Sequence, residues 1–291
     1  MDKKIIPPSE LIINPDGSVF HLHLRPDQLT DRIILVGDPG RVDLVAGFFD
    51  TQDFEVSSRE FHTIGGTIGG KPIMCLSHGI GPDNIDIVVN ELDALANVDF
   101  ATREVRDKKR VLTMVRIGTS GALQPELTLG TPVIAEKSLG FDGVLNYYAG
   151  RNEVSDLDFE RAFCDFTHWN PLWAKPYIVD ADAELVESIG RDDMVRGNTI
   201  SAVGFYGPQG RELRLPLSNP DLNSLIEQFE FQGRKVTNYE MESAPLAGLG
   251  RLMGHRCMTV CSIIANRFTN VSNPNYKDGI RSLIETVLDR I

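Results

Sequence analysis

The chain is short of several things, and each shortage excludes a class of protein. It is short of positive charge: 29 Lys and Arg against 41 Asp and Glu leave a net charge of −12 over 291 residues. A surface that acidic repels nucleic acid and anionic membrane, so neither is expected as a partner. It is short of cysteine. Cys75, Cys164, Cys257 and Cys261 form no Cys-x-x-Cys pair and lie mostly in apolar runs. They read as reduced core thiols of a cytoplasmic protein. Long hydrophobic runs are missing too. The longest, residues 257–265, is far too short to span a bilayer, and Met1-Asp2-Lys3-Lys4-Ile5-Ile6-Pro7-Pro8 has no apolar stretch of signal-peptide length. There is no internal repeat, low-complexity tract or linker.

What is present is a 42% hydrophobic chain, enough for a sizeable core. Strand-like apolar runs alternate with helical stripes, which implies an α/β class with a largely buried sheet, and one domain over residues 1–291. Residues 1–20 are Pro-rich and read as an arm over the surface or over a neighbour. Residues 19–24 alternate apolar residues with His21 and His23. Two histidines on one strand face without a third ligand are a weak metal signal, so a partly exposed edge segment is expected. Residues 54–67 read as strands with a bend at Gly65-Gly66. The run Arg106-Asp107-Lys108-Lys109-Arg110 reads as a solvated loop. Residues 142–180 are aromatic-rich and read as an irregular excursion.

The chemistry gathers at strand ends. Val111-Leu112-Thr113-Met114-Val115-Arg116-Ile117 reads as a buried strand that empties into the turn Gly118-Thr119-Ser120-Gly121. Such a turn at the carboxyl end of a strand is where open α/β sheets bind ligands, and its amides can cradle an anion. Arg116 adds a planar fork of donors suited to phosphate. A buried structural Arg beside an ordinary turn is an equal reading of this segment alone. A second corner repeats the theme. After the strand Arg32-Ile33-Ile34-Leu35-Val36-Gly37, Asp38 and Pro39 read as N-cap and first helical residue, with Arg41 in the first turn. A cation there opposes the helix dipole unless an anion lies between them. His78-Gly79-Ile80-Gly81-Pro82-Asp83-Asn84 leaves another strand through glycines. Position 84 is Asn where a dinucleotide fingerprint needs its third Gly, so a nicotinamide oxidoreductase is disfavoured. Two further strand ends, around Gln209 with Arg211 and around Glu242, are also polar. His78 reads as a pocket wall only; His62, His168 and His255 receive no role.

Taken in order, Gly37-Asp38-Pro39-x-Arg41, Arg59-Glu60-Phe61, Arg116-Ile117-Gly118-Thr119-Ser120-Gly121, Phe205-Tyr206-x-x-Gln209-x-Arg211 and Glu240-Met241-Glu242-Ser243 resemble the uridine phosphorylase family of the nucleoside phosphorylase superfamily. The resemblance runs from about Phe20 to Arg267, and the Phe-Tyr-x-x-Gln-x-Arg segment, similar to a pyrimidine-reading loop, is its most specific part. It departs from several bacterial members at residues 78–84, and residues 142–180 are longer than in the compact members.

The resemblance implies a three-layer α/β/α sandwich with a mixed, partly barrel-like central sheet. It implies phosphorolysis of uridine to uracil and ribose 1-phosphate, with inorganic phosphate as co-substrate and no metal or organic cofactor required. Gly37, Arg41, Arg116, Gly118 and Thr119 would hold phosphate, joined by Arg59 from a neighbouring subunit. Met241, Glu242 and Thr119 would hold the ribose, and His21 would meet its 5′-hydroxyl across a dimer. Phe205 would stack on the base, Gln209 would pair with its edge, Arg211 would stabilise the departing anion, and Arg267 would support that pocket. Glu60 matches a residue that holds potassium at a dimer interface in some members. The assembly implied is a dimer with shared sites, alone or as a hexamer of three dimers. A purine phosphorylase, a hydrolytic nucleosidase and a non-catalytic nucleoside-binding protein remain alternatives. The Gln209/Arg211 pair disfavours a purine site, three arginines disfavour a nucleosidase, and intact Arg116, Arg211 and Glu242 disfavour a mere binder.

Overall fold

A computed structural model describes residues 4–291. Strand β1 (Arg32–Val36) and helix α1 (Pro39–Ala46) come first. A meander follows, β2 (Thr51–Ser58), β3 (Phe61–Ile68) and β4 (Lys71–Ser77), and then α2 (Pro82–Asn97). The short pair β5 (Val98–Asp99) and β6 (Glu104–Val105) leads into the long β7 (Thr113–Ala122) and β8 (Pro132–Gly140). Next are α3 (Arg151–Val154), α4 (Leu157–Thr167), β9 (Tyr177–Asp180), α5 (Ala183–Gly190) and β10 (Val195–Ser201). The order closes with α6 (Leu222–Gln228), β11 (Glu230–Phe231), β12 (Arg234–Glu240), α7 (Ser243–Met253), β13 (Arg256–Asn266), β14 (Val271–Ser272) and α8 (Lys277–Arg290). No helix among the described residues is long and apolar enough to cross a membrane.

The central sheet runs β11-β12-β10-β8-β13-β7-β1-β4-β3-β2, and β12 also pairs with β7. That extra pairing closes β7, β13, β8, β10 and β12 into a ring, so the mixed sheet is partly a barrel. Layers follow from alternation along β1. Ile33 and Leu35 join a core with Ile85, Val88 and Leu92 of α2 and Leu246 and Leu249 of α7. Ile34 and Val36 join the opposite core with Val42 and Val45 of α1, Leu185 and Ile189 of α5, and Ile284 and Val287 of α8. A strand with helices on both faces must be apolar wherever it is covered, and from Ile33 to Val36 this one is.

Several sequence expectations need correction. Residues 19–24 are a tight turn, not an edge strand: the Val19 amide donates to the Leu24 carbonyl at 3.0 Å. Glu91 of α2 directs this turn, accepting the amides of His21 and Leu22. The break in the meander lies at Arg59 and Glu60, with Arg59 at φ 55°, and not at Gly65-Gly66. Those glycines sit inside β3 because the Phe54 ring and the Thr51 carbonyl occupy the space a Cβ would need. Residues 142–180 are not irregular. Phe159, Phe163 and Phe166 lie at helical spacing on α4, where Phe159 and Phe163 pack into a third, aromatic core with Phe229. Residues 106–110 are the solvated loop expected, anchored at its end by Arg110, which pairs with Asp31 and donates to the Leu29 carbonyl at 2.8 Å.

Strand β7 is longer than its composition implies. It does not stop at Gly118 but continues to Ala122. Its β1 neighbour ends at Val36, opposite Ile117, and its β12 neighbour begins at Gly121. Residues 118–120 therefore have no strand partner along that edge. The gap opens where the carboxyl ends of β1 and β7 and the following loops converge.

Candidate active site

One cavity of about 750 Å³ fills the gap. At one end stands the β1–α1 corner. Asp38 caps α1, accepting the Gly40 amide at 3.0 Å. Arg41, in the first turn, reaches across to donate to the Ile117 carbonyl at 3.4 Å, beside residues 118 and 119. Helix start, guanidinium and open strand edge face one space, an arrangement suited to an anion.

Arg116 is held more firmly than an anion ligand needs to be. Its Nε donates to His78 Nε2 at 3.1 Å. Its Nη1 donates to Glu240 Oε2 at 2.8 Å and contacts the Cys261 sulfur at 3.6 Å, and its Nη2 donates to Glu242 Oε2. Of five N–H groups, only one, on Nη2, has no partner among the described residues. Two carboxylates thus occupy most of the planar fork, and one Nη2–H is left to face a ligand. Burial alone would lower the Arg116 pKa, but Glu242 and Glu240 more than offset it and drive it up. Burial, then Arg116 and Arg41, hold His78 well below the usual histidine range. A neutral imidazole is what the Arg116 Nε–H requires as an acceptor. Burial, reinforced by Glu240, raises the Glu242 pKa although Arg116 lies against it. Glu242 Oε1 accepts the Gly81 amide at 2.8 Å, at the start of α2.

At the other end a 3-10 turn, Gly207–Gln209, follows β10. Arg211 lies over the Phe205 ring at 3.8 Å and donates to Gln209 Oε1 at 2.6 Å. Arg267 donates to the Gln209 carbonyl and lies 5.5 Å from the Tyr239 ring. Burial, with Arg267 nearby, lowers the Arg211 pKa.

Gly37, Arg41, Glu60, Arg116, Gly118, Thr119, Phe205, Gln209, Arg211, Met241 and Glu242 therefore line one space. Arg267 braces its wall. His21 and Arg59 do not reach it. His21 Nδ1 pairs with Glu91 Oε1 at 2.6 Å, its ring is edge-on to Phe20 at 4.8 Å, and Arg59 lies 5.7 Å over the same Phe20. The two residues assigned to a neighbouring subunit thus share one patch outside the cavity.

A sequence profile of the phosphorylase superfamily matches residues 31–282. The chain belongs to that superfamily. The uridine phosphorylase of Thermococcus kodakarensis is 28% identical over 261 residues, 88% of this chain and 80% of that protein. That of Escherichia coli K12 is 31% identical over 266 residues, 89% of this chain and 90% of that one. A Trypanosoma brucei nucleoside phosphorylase, whose crystal structure is described as showing uridine phosphorylase activity, matches with a TM-score of 0.87 at 26% identity, over 96% of this chain and 98% of that chain.

Within this phosphorylase-superfamily site, sequence reasoning passed over Glu240. Besides holding Arg116, its carboxylate accepts the amides of Glu242 and Ser243 and the Ser243 hydroxyl. The residue was visible in Glu-Met-Glu-Ser. Alternation along a strand would have placed Glu240 and Glu242 on one side, but β12 ends at Glu240 and Glu242 stands at the N-cap position of α7. His78, taken as a pocket wall, is instead fully buried and supports Arg116.

Proposed function

We propose that the protein cleaves uridine with inorganic phosphate, giving uracil and ribose 1-phosphate. The observation that carries this reading is the layout of one cavity. An anion corner at Arg41 and Gly118, the carboxylate of Glu242, and the Phe205, Gln209 and Arg211 group all line it. Phosphate, sugar and base would each meet a matching group there.

In this reading Gly37, Arg41, Gly118, Thr119 and the spare Nη2–H of Arg116 hold phosphate beneath the sugar. Its oxygen forms a bond to C1′ as the C1′–N1 bond breaks, and the bonding pair leaves with the base. Holding nucleophile and sugar together supplies roughly 7–11 kcal/mol of barrier reduction. Glu242 accepts from the ribose hydroxyls, with Met241 against the sugar face, and stabilises positive character on the ring. Phe205 stacks on uracil. Gln209, whose oxygen is taken by Arg211, offers its amide N–H₂ to a uracil carbonyl, and Arg211 faces the developing anion. One such donor is worth roughly 2.7–4 kcal/mol.

The same reading has a second copy of the chain deliver Arg59 and His21, which already share the Phe20 patch, to this cavity. That makes the working unit a dimer, alone or within a hexamer of three. Glu60 would hold a potassium ion between subunits, no metal being required for the chemistry. Residues 1–291 would form one domain acting in the cytoplasm. The test is phosphate-dependent uridine cleavage by wild type and by Arg211→Ala, with inosine and thymidine as comparison substrates. A loss of about 100-fold or more in the variant is expected. Near-normal uridine turnover in the variant, or preference for inosine in wild type, refutes the reading.

A further inference from the structure

A second cavity, of about 390 Å³, lies behind the turn that carries Gln209. Gln209 lines the larger cavity, while Pro208 and Gly210 on either side of it line the smaller one. One turn of chain is the wall between two spaces. The far wall is aromatic. Trp169 packs 4.7 Å from Phe141 and, at 80°, 5.0 Å from Trp173, so the rings form a corner.

Asp142 borders this corner. Its carboxylate accepts from the Tyr177 hydroxyl at 2.9 Å and from the Val144 amide at 2.8 Å, both neutral donors. No Lys, Arg or His among the described residues pairs with it, and Glu240 adds negative charge nearby. Asp142 is half-buried, and a carboxylate withdrawn from water in this way gains from a cationic partner. The missing counter-charge and the aromatic walls ask for the same thing, because ring faces attract cations that carboxylates also attract.

We propose that this cavity binds a small organic ammonium ion, its alkyl groups against Trp169, Trp173 and Phe141 and its charge toward Asp142, and that occupancy braces the Gly207–Gln209 turn. The binding is independent of the function proposed above, and only its effect on uridine rests on that reading. A braced turn alters the KM for uridine and leaves that for phosphate unchanged, since Arg41 and Gly118 lie at the opposite end of the larger cavity.

Trp169 and Trp173 are the chain's only tryptophans, so fluorescence excited selectively at tryptophan reports on this site. The full-length protein is titrated with choline and with its neutral isostere 3,3-dimethylbutan-1-ol, and Asp142→Asn is titrated with choline. Expected is a saturable change with choline, at least tenfold weaker binding of the neutral alcohol, and at least tenfold weaker choline binding by Asp142→Asn. At saturating choline the KM for uridine should shift at least twofold. No saturable change, or equal binding of alcohol and choline by wild type, overturns the site. A variant that binds choline as wild type does overturns the role of Asp142. Clear binding with an unmoved uridine KM overturns the coupling. Absence of uridine cleavage without choline counts against the proposed function and not against the site.

Discussion

Arg116 and Glu240 meet at 2.8 Å with almost no water on either: their side chains are 5% and 1% exposed. The pair joins the middle of β7 to the end of β12, across the edge where the barrel closes. Glu240 also takes the first amides of α7, so one carboxylate orients both the guanidinium and the helix that begins after Glu242.

Truncating one partner of such a pair leaves an uncompensated buried charge. Glu240→Ala is therefore expected to lose about 3–5 kcal/mol of stability. Urea denaturation measures it, and a loss below about 1 kcal/mol would show that Glu242 alone satisfies Arg116.

Among the described residues Arg41 makes one long hydrogen bond, to the Ile117 carbonyl at 3.4 Å, which leaves its other N–H groups to meet a ligand. Arg41→Ala should cost about 1.5–3 kcal/mol of phosphate recognition, seen as a roughly 10- to 100-fold fall in kcat/KM for phosphate. Steady-state kinetics with phosphate as the varied substrate tests it. An unchanged value removes Arg41 from the anion corner.

A Cβ at Gly118 would lie 2.8 Å from Arg116 Nη1 and 3.0 Å from the Cys261 sulfur. The guanidinium is pinned by its carboxylates and cannot move aside cheaply. Gly118→Ala is expected to cost about 1–3 kcal/mol of stability through overpacking and to reduce uridine cleavage sharply. Full activity in a well-folded variant would mean that Arg116 can be displaced without consequence.

Asp142 titrates at about 6 because burial disfavours its charge, against 3.8 for an ordinary aspartate. Between those values the native state keeps a proton that the unfolded chain has released. Its contribution to stability is present below about 4 and is lost as the pH rises through about 6. Asp142→Asn has no charge to bury. It should match wild type near pH 3.5 and gain on it as the pH rises to about 7, by on the order of 3 kcal/mol. Denaturation at the two pH values checks this; a difference that does not change with pH would contradict it.

The alternating strands and helices, the Asp38 cap, the stripe of α2 and the order of the site motifs were all legible in the sequence. Each is a local pattern, and local patterns survive wherever burial runs along one element. The end of β7 was not legible. Gly118-Thr119-Ser120-Gly121 has the composition of a turn, but pairing with β13 along its whole length keeps it extended. The helix in residues 142–180 was obscured because its aromatic face was taken for irregular packing, and the turn at residues 19–24 because a carboxylate on α2 shapes it.

By itself the sequence determined an acidic α/β chain whose polar chemistry sits at the carboxyl ends of its strands, because hydrophobic period, turn residues and charge are written within a few neighbouring positions. Only the tertiary structure decided which N–H of Arg116 is left for a ligand, and that Arg59 and His21 lie outside their own chain's cavity. Those outcomes depend on distances between residues far apart in the chain, 124 positions for Arg116 and Glu240, and no short stretch of sequence records them.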